Sequence, residues 1–170
     1  MKRKFFEVAK SIAISLIIAV FMINYIFQIV IVSGESMVPT LQNNDKLILE
    51  KVSKLITSVK RNDIVVIKYP ADISQRLIKR VIAVAGDKVE ISNNVLYING
   101  TVINEFYKNE NFMKDYDETV VPQDSIFVLG DNRNFSKDSR SSDIGFVKLN
   151  LLEGKAIIRL YPFNKMGRIR

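Results

Sequence analysis

Ser36 and Lys79, 43 positions apart (79 − 36 = 43), have the residue types and surroundings from which a nucleophile and its base can be built. Ser36 lies in SGESMVPTL, residues 33–41, directly after a long apolar run. Beside glycine and proline a serine is commonly a turn residue. The sharper reading is a hydroxyl nucleophile, and a hydroxyl needs a base to take its proton. The chain has 170 residues, with no histidine and no cysteine. That removes a Ser-His-Asp triad, thiol nucleophiles, disulfides, and most zinc or haem sites. Any catalysis must run on Ser, Thr, Lys, Asp, Glu, Tyr or Arg.

Lysine qualifies only when neutral. Its ordinary pKa is about 10.4, and burial lowers it because desolvation disfavours the charged form. Lys79 stands in RLIKRVIAVA, residues 76–85. On a strand of period two it shares one face with Leu77, Val81 and Ala83, while Ile78, Arg80 and Ile82 take the other. Aliphatic neighbours are what a neutral amine requires. The plainer alternative is a charged Lys79-Arg80 pair on an exposed edge strand.

A third group of residues, GDNRNFSKDSR at 130–140, holds Asp131, Arg133, Asp138 and Arg140 within ten positions. Unlike charges this dense suggest a rigid, salt-bridged loop, and Ser136 could orient an amine by its hydroxyl. A solvated turn built from ordinary turn residues is the alternative.

These residues need elements to carry them. The sequence is 48% apolar and 25% charged, which suits one folded domain. Its net charge of +7 is spread along the chain without aromatic-basic interleaving, so no nucleic-acid partner is expected. Residues 12–32 carry no charge and follow Lys2, Arg3, Lys4 and Lys10. Their length predicts a transmembrane anchor over 11–32, and the flanking charges place residues 1–10 in the cytoplasm and 33–170 on the outer face. A cleavable secretory signal is disfavoured by the length of the run and by bulky Val30, Ile31 and Val32 at its end. Beyond it, short apolar stretches separated by turn residues predict a mainly β domain of antiparallel sheets. Strands are expected over 46–52, 63–69, 76–85, 87–92, 95–100, 125–130 and 155–161, with Asn93-Asn94 and Asn99-Gly100 as hairpin turns. Residues 104–120 read as a polar loop.

In this order, an N-terminal apolar anchor, SGESMVPTL, NDIVVIKYP, KRVIAVAGDKVE and GDNRNFSKDSR resemble the bacterial type I signal peptidases of the Ser-Lys kind. The resemblance implies a β-rich domain whose large apolar surface rests on the lipid bilayer. It also implies a serine endopeptidase that cleaves signal peptides from secretory preproteins, with small residues at the first and third positions before the cut. No cofactor and no metal are implied. Residue by residue, it implies Ser36 as nucleophile, Lys79 as general base and Ser136 as the group orienting the amine. Asp131, Arg133, Asp138 and Arg140 form the supporting loop, and the Ser36 backbone N–H is an oxyanion donor. Val32 and Ile78 are candidate pocket walls. The chain departs at Gly34 from many members of double-membraned bacteria, in which a hydroxyl residue two positions before the nucleophile supplies a second oxyanion donor. An N–H at or near Gly34 is the candidate replacement. Asn62 stands where glycine is usual, and a large insertion is missing, as in the short enzymes of Gram-positive bacteria. Two other readings use the same residues: a self-cleaving repressor with Ser-Lys chemistry, and a non-catalytic, membrane-tethered β module.

Overall fold

The computed structural model describes residues 2–55, 59–108 and 113–169; residues 109–112 of the expected polar loop lie outside it. Helix α1 spans Lys2–Tyr25. The strands are β1 Phe27–Ile31, β2 Lys46–Glu50, β3 Ile64–Tyr69, β4 Asp72–Val84, β5 Lys88–Ser92 and β6 Val95–Ile98. They continue with β7 Thr101–Val102, β8 Tyr116–Val120, β9 Ser125–Leu129, β10 Val147–Lys148, β11 Leu152–Tyr161 and β12 Gly167–Arg168. A one-turn helix α2, Val52–Leu55, follows β2.

The apolar run read as one anchor over 11–32 is two elements. Its helix ends at Tyr25, and residues 27–31 form β1, paired antiparallel to β2 from Phe27–Glu50 to Ile31–Lys46. The reason is the β-branched stretch Ile29, Val30, Ile31, which favours a pleated strand with a partner at hand. The uncharged part of α1, Ser11 to Tyr25, is then roughly 22 Å long, against about 30 Å for a hydrocarbon core. Among the described residues no helix is long and apolar enough to cross a membrane.

All strand pairs are antiparallel. One sheet runs β1-β2-β11-β3-β4-β9-β10, with β12 on β11; the other runs β7-β6-β5-β8. Three apolar clusters hold them together. Val65, Ile67, Val81, Val128 and Leu152 pack on one face of the large sheet. Ile82, Ala83, Val89, Ile91, Leu96 and Phe127 join the two sheets. Val32, Met37, Leu41, Leu47, Ile64 and Ala156 fill the space beneath residues 33–41. Burying each Val, Leu or Ile contributes about 1.5–3 kcal/mol, so the strands that carry the candidate site sit on a well-anchored frame.

Both expected hairpin turns are present. Asn93 and Asn94 take φ of +51° and +67°, and Asn99 and Gly100 take +53° and +74°, the left-handed pairs a two-residue type I′ turn needs. Asn62 takes φ of +71°, which asparagine tolerates in place of glycine. The polar loop expected over 104–120 contains β8, an edge strand on β5.

Candidate active site

Strand β4 is interior beyond residue 79: Ile64 of β3 pairs with Arg80 on one side and Leu129 of β9 pairs with Arg80 on the other. Lys79 and Arg80 are 2% and 1% exposed, so the exposed edge-strand reading of this pair does not hold. Their side chains go to different partners. Lys79 Nζ lies 2.8 Å from Ser36 Oγ and donates to the Ile78 carbonyl at 3.0 Å. Burial pushes the Lys79 amine down from 10.5 to about 8, while the charges of Asp138 and Asp131 hold it from falling further. A lysine lowered this far has an unprotonated form within reach of neutral pH, and in that form its nitrogen is able to accept a proton from a neighbouring hydroxyl.

Arg80 donates to both oxygens of Asp131, Nε–Oδ1 at 2.8 Å and Nη2–Oδ2 at 2.7 Å, in a wholly buried bidentate pair. The guanidinium also lies 4.0 Å over the Tyr107 ring, and the Thr40 hydroxyl donates to Asp131 Oδ2. The segment that carries Ser36 and Thr40, β4 and the 130–140 loop are thus tied at one carboxylate.

The 130–140 loop is rigid for reasons its sequence announced. Arg140 Nε and Nη2 reach Asp138 at 2.8 and 2.9 Å, and Nη2 also donates to the Arg133 carbonyl at 2.6 Å. Asp138 Oδ2 accepts the Gly130 N–H at 3.1 Å. Buried Arg133 donates to the Gly130 carbonyl at 3.0 Å and forms a two-point ion pair with Glu105. Gly130 is required by space: a Cβ there would overlap Ser136 Oγ and the Ser36 carbonyl.

Ser136 Oγ is buried and has no hydrogen-bond partner among the described residues, and the Lys79 amine donates to the Ile78 carbonyl. The Gly34 N–H, the candidate second oxyanion donor, already donates to Asn43 Oδ1 at 3.0 Å, with Gly34 at φ of +94°. The Ser36 N–H donates to no group among the described residues.

A cleft of about 130 Å³ opens beside Ser36 and Lys79. Residues 30–34 form one wall and residues 76–78 the other, and Val32 and Ile78 both line it. β9 pairs with β4 only from Arg80 onward, so the edge of β4 facing this cleft is open over residues 72–78. No group of three or more acidic, His or Cys side chains able to hold a metal is present among the described residues.

Three positions were not legible as part of the site. Glu105 lay in a polar segment, and only the burial of Arg133 creates the need for it. Asn132 sits inside the GDNR motif without a charge to mark it. Asn43 carries no charge and lies outside the quoted motifs, and only its bond from the Gly34 N–H brings it to the site.

Residues 5–161 match the family described as signal peptidase, peptidase S26. The chain belongs to this family. It is 36% identical over 178 residues to signal peptidase I S of Bacillus subtilis (strain 168), covering 98% of this chain and 95% of that protein. It is also 35% identical to a probable signal peptidase I-2 of Synechocystis, over 95% of this chain and 75% of that one. A crystal structure of a signal peptidase I from Enterococcus faecalis V583 superposes with a TM-score of 0.51 at 37% identity, covering 58% of this chain and 96% of that chain. The chain is accordingly an enzyme, a hydrolase of peptide bonds, on the mainly antiparallel β fold of its relatives.

Proposed function

We propose that this enzyme is a membrane-bound serine endopeptidase that removes signal peptides from exported preproteins through a Ser36–Lys79 dyad. The observation that carries the reading is the 2.8 Å approach of a buried lysine amine to the Ser36 hydroxyl. Neutral Lys79 takes the Ser36 proton as Oγ attacks the scissile carbonyl, and the charge that develops on the carbonyl oxygen is met by the Ser36 N–H. Lys79, now protonated, gives its proton to the leaving amine. Water then enters, Lys79 again acts as base, and the acyl-enzyme is hydrolysed.

The open edge of β4 and the 30–34 wall suit an extended substrate that pairs by its backbone, letting alternate side chains enter the cleft. A volume of about 130 Å³ favours small side chains there. The supporting residues Asp131, Arg133, Asp138 and Arg140 act through the loop they hold, and none of them contacts the reacting atoms.

Membrane attachment rests on α1. Ile12, Leu16, Ile17, Ile18, Val20 and Phe21 are each more than half exposed, an apolar surface that lipid would cover. Lys2, Arg3, Lys4 and Lys10 favour a cytoplasmic N-terminus. The uncharged part of the helix is short, and two features make up the difference. Lys10 can extend its amine toward the headgroups, and exposed Ile29 and Ile31 of β1 continue the apolar surface into the outer leaflet. The domain from residue 27 on then stands on the outer face, where a preprotein's own apolar helix ends.

The test is cleavage of a preprotein in membranes. Ser36→Ala should abolish it while the far-ultraviolet circular dichroism spectrum stays unchanged; substantial residual cleavage refutes the assignment. Membrane attachment is read separately, by whether the chain resists carbonate extraction with residues 33–170 open to protease on the outer face.

A further inference from the structure

Asn132 grips the nucleophile loop at two successive peptides. Its side-chain Nδ2 donates to the Glu35 carbonyl at 3.1 Å, and its backbone N–H donates to the Ser36 carbonyl at 3.1 Å. The first of these carbonyls belongs to the same planar peptide unit as the Ser36 N–H. In a trans peptide the C=O and N–H point in opposite directions, so a donor that fixes the Glu35 oxygen also fixes where the Ser36 hydrogen points. The Glu35 oxygen takes a second bond from the Val38 N–H at 3.1 Å. Two donors on one carbonyl polarise the peptide, which makes its N–H a stronger donor.

Asn132 is 5% exposed, and its Oδ1 has no partner among the described residues. A buried acceptor without a partner is costly, so the carboxamide is held here for its donor rather than for its own satisfaction. Asn132 is the side chain that donates to this carbonyl among the described residues, beside the loop's own Val38 N–H, while Gly34 presents its N–H to Asn43. We infer that Asn132 is a positioning residue for the oxyanion donor: its carboxamide aims and polarises the Ser36 N–H. The inference rests on the Ser36–Lys79 reading and adds to it the group that prepares the backbone for the developing charge.

The test compares the full-length enzyme with Asn132→Ala and Asn132→Asp, the second keeping the shape but placing an oxygen where the donor was. Loss of a whole oxyanion donor lowers turnover by about 10²–10³-fold in known cases. Here the donor stays but is neither aimed nor polarised, and kcat should fall about 10- to 100-fold in both variants. KM for a signal-peptide substrate should stay within about twofold, and the pH midpoint of the rate should stay where wild type has it in Asn132→Ala. Affinity for a substrate-like peptide aldehyde, which forms a tetrahedral adduct on Ser36, should fall by the same factor as kcat, while affinity for the cleaved product peptide should not change. A residue that merely holds the fold would move KM and the pH midpoint together with kcat. Either folded variant turning over within threefold of wild type overturns the inference, as does a fall in kcat matched by loss of product-peptide affinity. If wild type itself forms no aldehyde adduct on Ser36, the dyad reading fails; if it does and Asn132 proves indifferent, only the positioning role fails.

Discussion

Replacing Lys79 with methionine should abolish activity and at the same time stabilise the protein. Methionine keeps the length and the apolar stem but carries no amine. The fall of the Lys79 pKa from 10.5 to about 8 corresponds to about 3 kcal/mol of penalty on the charged form in the folded state. Folded Lys79 sheds its proton near pH 8, and the unfolded chain holds it to about 10.5. Below pH 8 both states are protonated and the whole penalty falls on the folded one. Between about 8 and 10.5 the unfolded state binds more protons, so wild-type stability rises with pH. Methionine removes the penalty but leaves the Ile78 carbonyl without its donor, a loss of about 1 kcal/mol. The net gain is about 2 kcal/mol at pH 6–7, and it shrinks to nothing or reverses above about pH 10. Guanidinium denaturation of the full chain in detergent, followed by far-ultraviolet circular dichroism across that pH range, measures it. A variant no more stable than wild type at pH 6–7, or one whose gain does not change with pH, would show that Lys79 is not a desolvated amine.

Other substitutions probe the surroundings of the dyad. Lys79→Arg should be inactive, since a guanidinium stays charged in any environment; measurable cleavage by it rules out the base role. Gly130→Ala should lose most activity, because the added methyl pushes against the Ser36 carbonyl and Ser136 Oγ; normal kcat in this variant would show that the loop yields without moving the nucleophile. Asp131→Ala should cost about 3–5 kcal/mol of stability by leaving Arg80 charged and buried without its carboxylate, which denaturant titration would read. Ser136→Ala should keep substantial activity, because its hydroxyl makes no hydrogen bond to Lys79 among the described residues; an inactive but folded variant would show that the hydroxyl engages the amine during turnover.

The local pattern of the chain carried much of the fold. Stretches such as DIVVIKY and SIFVLG have the β-branched and aromatic content of strands, and they became β3 and β9. The asparagine turns were readable because left-handed backbone narrows the choice of residue. β1 was hidden because its β-branched residues continue an uncharged apolar run without a turn signal between them, and pairing with β2 is what separates it from the helix. β8 was hidden for the opposite reason, an edge strand of polar residues with two half-buried positions. Within the site, Ser36 and Lys79 stood out by type and setting, but their approach depends on long-range sheet register. The same holds for Glu105 under Arg133 and for Asn132 against residues 35 and 36. Charge density in 130–140 announced a rigid loop without telling which carboxylate takes which cation: Asp131 serves Arg80 rather than either arginine of its own loop. The resemblance points to Ser136 as the lysine's partner, while among the described residues the amine donates to the backbone carbonyl of Ile78 and the Ser136 hydroxyl makes no hydrogen bond.

The most direct test follows acylation of Ser36 against pH. A full-length enzyme in detergent, mixed with a signal-peptide substrate under single-turnover conditions and quenched into a mass spectrometer, reports the rate at which the adduct forms. The rate should rise about tenfold per pH unit below the Lys79 pKa and level off above about pH 8, with the adduct on Ser36 and none in Lys79→Met. A rate independent of pH between about 5 and 9, or an adduct on any other residue, would contradict the account.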